Sequence, residues 1–127
     1  MHFIGDFHIH SRFSVATSKK LTPEWLDYWA RKKGITVVGT GDFTHPGWLA
    51  ELEQKLQPIG NGLLTLKEEF SYETLQEAPS TSRKIFFLLT GEISSIYKKN
   101  GKVRKVHNLV FAPDFQTVEK IQQKLSA

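Results

Sequence analysis

The chain has 127 residues, a formal charge of +4 and a sequence pI near 9.4, with 39% hydrophobic and 24% charged residues. That length and balance fit one globular domain. They come without an apolar run of the ~18 residues a membrane span needs and without the basic-then-apolar leader of a secreted chain. Cysteine is absent, which excludes disulfides and thiolate metal sites, agrees with a cytoplasmic location, and leaves His, Asp and Glu to hold any metal.

In chain order, "HFIGDFHI" reads as a first strand and "LTPEWLDYWARKKG" as a helix. Thr22 is the expected N-cap, Pro23 sits at the first helical position, and Gly34 follows the end. Trp25, Leu26, Trp29 and Ala30 follow helical spacing and are expected to form its core face. "ITVVGTGD" continues as a short buried strand, Ile35 to Val38, running into a Gly-rich turn. "PGWLAELEQKL" reads as a second helix, broken at "PIGNGLL" by Gly60 and Gly62. The stretch from Thr65 to Ser82 carries little pattern, and "APSTS" reads as loop. "KIFFLLTGEISS" is the strongest strand signal in the chain. Asn100-Gly101 in "YKKNGKVRKV" marks a two-residue hairpin turn. "VHNLVFAP" is a further strand, and "DFQTVEKIQQKL" a closing helix with Asp114 as N-cap. Strands alternating with helices imply parallel pairing with helical crossovers, and in such folds ligand sites lie at the carboxyl ends of the strands.

Those ends carry groups that an apolar strand does not need. The first strand ends in His8 and His10, the second runs into Asp42 with His45 shortly after, "LTGE" ends in Glu92, and the strand after the hairpin begins with His107. Side chains at i and i+2 of a strand share a face, so His8 and His10 can converge on one ion or on two adjacent ions. Imidazole nitrogen with carboxylate oxygen suits zinc, manganese or iron(II). Each residue alone also fits an ordinary role: Asp42 as a turn or cap residue, Glu92 as a surface strand end, His45 as a loop residue, His107 as a half-buried strand residue. Their occurrence at the same end of successive strands favours a metal site. Arg12 fits either a phosphate contact or a surface salt bridge. The cluster Lys98, Lys99, Lys102, Arg104 and Lys105 fits either a solvated hairpin or a phosphate-contacting surface.

"DFHIHSRFS", "GTGDFTHPGW" and "TGEISSIYKKNGKVRKVHNLVFAP" together resemble the polymerase-and-histidinol-phosphatase (PHP) superfamily of metal-dependent phosphoesterases and, within it, the amino-terminal part of the endonuclease Q group, DNA-repair nucleases that cut 5′ to deaminated bases. The resemblance implies a distorted (β/α)7 barrel with divalent ions, zinc first and manganese or magnesium as alternatives, at the carboxyl ends of its strands. It implies His8 and His10 as the first metal motif, Asp42 as the second, Glu92 as a bridging carboxylate and His107 as the third. Phe43 stands where most members carry His, so His45 is the candidate substitute. The implied chemistry is phosphodiester hydrolysis by a water held at His8, His10 and Glu92, with DNA as partner and the basic hairpin along its backbone.

A complete α/β barrel takes about 200–250 residues, and no later Asp-x-His follows His107. The expectation is therefore a partial PHP-type barrel of α/β class, its first half, with about four core strands plus a β-hairpin. Such a half-barrel would have an incomplete ligand set and an open edge at "HNLVFA" that favours self-association. Two alternatives remain: a small-molecule phosphoesterase acting on histidinol or sugar phosphates, and a non-catalytic nucleic-acid-binding module.

Overall fold

The computed structural model describes residues 1–72 and 84–126; the loop expected at 78–82 lies outside them. The described elements are β1 Gly5–Asp6, α1 Pro23–Lys33, β2 Val37–Gly39, α2 Pro46–Lys55, β3 Leu56–Gly60, β4 Leu63–Leu66, a 3-10 turn at Glu68–Phe70, β5 Phe86–Lys99, β6 Lys102–Ala112 and α3 Phe115–Ser126. The fold is mixed α/β, with the strands in the order β1-β2-β5-β4-β3 and β6 paired to β5. None of the described helices is long and apolar enough to cross a membrane.

β1, β2 and β5 run parallel, as the strand-helix alternation implies. The other pairs are antiparallel, which corrects the expectation of an all-parallel core. Both the β2 and β4 ladders reach Leu88, and the β6 ladder starts at Leu89. β5 is thus a 14-residue strand whose first part is buried in the sheet and whose second part projects as a two-stranded ribbon. "VHNLVFAP" is the returning arm of that ribbon, not a further parallel strand. "PIGNGLL" forms a hairpin, with Asn61 and Gly62 at positive φ in its turn, as Asn100 and Gly101 are in the other.

Trp48, Leu52 and Leu56 from α2 and its exit, Phe87 and Leu89 from β5, and Val118 from α3 are fully buried together with Phe43. These side chains join both helices to the sheet. α3 is capped as expected: Asp114 Oδ1 accepts from Thr117 N at 2.7 Å, and hydrogen bonding from the Thr117 side chain, then from its amide, holds the Asp114 carboxyl below the usual range. α1 also has its expected ends, with Thr22 accepting from Trp25 N and Gly34 in the left-handed conformation. Its inner face differs from expectation. Leu26 and Ala30 pack inward, but Trp29 is 47% exposed beneath Lys32, and Asp27 is buried in its place. Asp27 is accommodated because Arg31, one turn on, donates to it at 2.9 Å.

Candidate metal centre

β1 ends after two residues because its neighbour turns away. β2 stops at Gly39, and Gly41 and Asp42 both take positive φ, 66° and 49°. Without a partner strand, Phe7 to His10 runs on without regular structure, with the Phe7 and Ile9 carbonyls close to Gly39 and Gly41. The approach is close: a Cβ at Gly41 would lie 2.2 Å from the Ile9 carbonyl oxygen, so this position needs glycine both for space and for its backbone conformation.

Two threonines fasten that turn to β5. Thr40 Oγ1 accepts from Thr90 N at 3.1 Å, and Thr90 Oγ1 accepts from Gly41 N at 2.8 Å. Trp48 Nε1 donates to the carbonyls of Thr40 and Gly41 at 3.2 and 2.9 Å. Asp42, from the turn after β2, and Glu92, from β5, are thereby brought to one histidine.

His10 lies between the two carboxylates. Its Nδ1 is 3.2 Å from Asp42 Oδ1, and its Nε2 is 3.9 Å from Glu92 Oε2. His8 Nε2 contacts the same Glu92 oxygen. His107 Nδ1 lies 2.6 Å from the other oxygen, Oε1, and 2.8 Å from Ser94 Oγ. The second Asp42 oxygen accepts from the amide and hydroxyl of the fully buried Ser11, at 2.6 and 2.7 Å. The hydrogen bond from His8, opposed by desolvation and aided by His107, holds the Glu92 carboxyl below its usual range.

His8, His10 and Glu92 each offer a ligand atom within 4.8 Å of the other two. Two imidazole nitrogens and one carboxylate oxygen are a donor set for zinc or a similar divalent ion, with room for further ligands. Asp42 completes the fit from outside. A carboxylate accepting Nδ1–H leaves Nε2 of His10 free as a ligand atom, a common arrangement behind metal-bound histidine.

The remaining candidates lie elsewhere. His45 is the N-cap of α2: its Nδ1 accepts from Gly47 N and Trp48 N, and its ring stacks on Phe13 at 4.4 Å. Arg12 is engaged by Glu51, donating through Nε and Nη2 at 3.0 and 2.9 Å, and lies over the Phe13 ring. Glu51 also accepts from Lys55, which ties the loop after the histidines to α2. The basic residues 98, 99, 102, 104 and 105 are all exposed on the ribbon. Sequence reasoning passed over Ser11, Thr40, Thr90, Trp48 and Ser94. One signal was in reach for the threonines: the tripeptide Thr-Gly-carboxylate occurs twice, at Thr40-Gly41-Asp42 and at Thr90-Gly91-Glu92.

Two solved structures share this fold over nearly the whole chain. One is the lesion-specific endonuclease PfuEndoQ from Pyrococcus furiosus, at TM-score 0.71 and 28% identity, covering 98% of this chain and 25% of that one. The other is endonuclease Q in complex with a 27-mer duplex substrate bearing an abasic lesion at the active site, at TM-score 0.69 and 28% identity, covering 96% and 25%. Among curated proteins, an uncharacterized protein of Methanocaldococcus jannaschii is 49% identical over 49 residues, 39% of this chain and 6% of that protein. No protein-family model matches the chain. The chain resembles part of endonuclease Q and spans about a quarter of the length of these endonucleases.

Proposed function

We propose that this chain carries a PHP-type metal centre for phosphodiester hydrolysis on DNA, built on part of a (β/α)7 barrel. The observation that supports the reading best is the convergence of His8, His10 and Glu92 within 4.8 Å, with His107 on the second Glu92 oxygen. A divalent ion bound there, zinc first, would supply Lewis-acid polarisation of a phosphate oxygen and a nucleophile at neutral pH. The chain's own residues do the positioning. His8 and His10 present ring nitrogens, Asp42 with Ser11 fixes the His10 ring, and Ser94 steadies His107 against Glu92. Because the chain spans about a quarter of the endonucleases it resembles, hydrolysis by this chain alone is part of the proposal.

The test has two arms. Elemental analysis after dialysis against zinc should find at least one ion per chain, lost in the His8→Ala, His10→Ala double variant. Uracil- or hypoxanthine-containing duplex DNA should be nicked in manganese, while a generic phosphomonoester is left intact. Phosphomonoester hydrolysis without nicking would replace the reading with a small-molecule phosphoesterase. Less than one ion per chain would replace it with a non-catalytic module.

A further inference from the structure

The β5–β6 ribbon pairs without a register break from Leu89↔Ala112 to Lys99↔Lys102. Residues opposite one another share a face, and successive residues alternate. Glu92, Ser94 and His107 therefore stand on one face, which continues through the pairs Ile96↔Lys105 and Lys98↔Val103. The other face carries Tyr97↔Arg104 and Lys99↔Lys102. Ribbon twist turns both rows gradually but does not exchange them. The sequence cluster of five cations is thus split, two on the metal-site face and three on the reverse.

We infer that duplex DNA lies along the Glu92–His107 face of the ribbon, with Lys105 and Lys98 on its backbone and Ile96 and Val103 in contact between them, and that Lys99, Lys102 and Arg104 point away from that strand. This rests on the reading of the site as one acting on DNA. Charge complementarity carries the choice of DNA, since no acidic residue lies between Glu92 and Asp114 and none of the five cations makes an ion pair among the described residues. The choice of face is carried by Glu92 and His107, which stand on the same side of the ribbon as Lys98 and Lys105. Ile96 and Val103 are 68% and 66% exposed, an apolar pair framed by the two lysines. Spacing agrees. Lys105, beside Ile96, and Lys98 lie about 14 and 20 Å from Glu92 at ~3.4 Å per residue. At ~3.4 Å of duplex axis per phosphate, that is about four and six phosphates of one strand.

The chain has no cysteine, so Ile96→Cys and Tyr97→Cys each introduce a unique thiol, on adjacent residues of opposite faces. A duplex oligonucleotide with thiol-reactive tethers on its phosphates should crosslink to the first at least about tenfold faster than to the second. Independently, Lys98→Ala with Lys105→Ala should lower the slope of log affinity against log salt by about 2, and Lys99→Ala with Lys102→Ala should leave it nearly unchanged. Equal or reversed crosslinking, or a slope change confined to the second pair, would overturn the inference alone. Failure of the unsubstituted chain to bind duplex DNA at low salt would overturn the proposed function, and the inference with it.

Discussion

Asp42 Oδ1 lies 3.2 Å from Nδ1 of His10, the ring whose other nitrogen faces Glu92. The carboxylate selects the His10 tautomer that leaves Nε2 free, and its second oxygen is held by the buried Ser11 amide and hydroxyl. Asp42→Asn keeps the shape and tolerates the positive φ of 49°, but removes the charge that orients the ring. Losing such an outer partner typically costs ~10–100-fold in metal affinity. The expected result is zinc affinity reduced by about that factor with little change in melting temperature. Competitive zinc titration measures it, and nitrogen NMR of the His10 ring would report a mixed tautomer. An unchanged affinity would remove Asp42 from the centre.

The turn that carries Asp42 depends on the residue before it. Gly41→Ala places a methyl group 2.2 Å from the Ile9 carbonyl oxygen at φ 66°. Either the strained backbone persists or the His8–His10 segment moves. A single strained position of this kind costs about 1–3 kcal/mol, and the clash puts the variant at the upper end. Denaturant unfolding should show that loss. In addition, metal affinity should fall although no ligand has been changed. Stability lost with affinity intact would mean that the segment moves without disturbing the site.

These two residues also mark what the sequence made legible. His8, His10, Asp42, Glu92 and His107 were marked out by expected places at strand ends. The fold joins all five in one chain of contacts, although Glu92 and His107 stand within the long β5–β6 ribbon and His8 and His10 lie past the end of β1. His45 was marked by the same reasoning yet caps α2, because a loop His just before a Pro-initiated helix is equally placed to accept its first amides. The β3–β4 hairpin was missed although Asn61-Gly62 repeats the signature of Asn100-Gly101. Pro58 obscured it, since proline argues against a central strand; β3 is an edge strand, where proline is tolerated. The hairpin at Asn100-Gly101 is present as expected, but "VHNLVFAP" read as a separate strand, because nothing in its pattern shows that the returning arm continues unbroken from Lys102 through His107 to Ala112.

Glu92 accepts from His8 and lies beside His107, and these contacts hold its carboxyl below the usual value of 4.5, with the His8 bond the largest cause and desolvation opposing it. A carboxyl depressed in the folded state contributes stability above its unfolded pKa and loses it as pH falls through the lower folded value. In metal-free protein, an NMR titration of the Glu92 side-chain carboxyl should show a midpoint below 4.5. His8→Ala should move that midpoint upward. A midpoint at or above 4.5 in the unsubstituted chain would mean that the contact with His8 does not form in solution.

The sheet leaves apolar surface at its first edge. β1 is two residues long and pairs only with β2 among the described residues. Phe3 and Ile4 before it are 58% and 62% exposed. Nearby, Phe7 meets Phe111 of β6 edge-on at 5.8 Å, and Phe111 is half exposed. The outer side of β6 also has no partner strand among the described residues. Exposed apolar side chains beside unpaired backbone favour association with another chain. Sedimentation velocity on the isolated chain should therefore give a mean mass above that of the 14.5 kDa monomer, rising with concentration. Phe3→Lys with Ile4→Lys should shift it toward the monomer, because lysine on a sheet edge opposes edge-to-edge pairing. A monodisperse monomer at all concentrations would mean that Phe3, Ile4 and Phe111 are exposed without consequence.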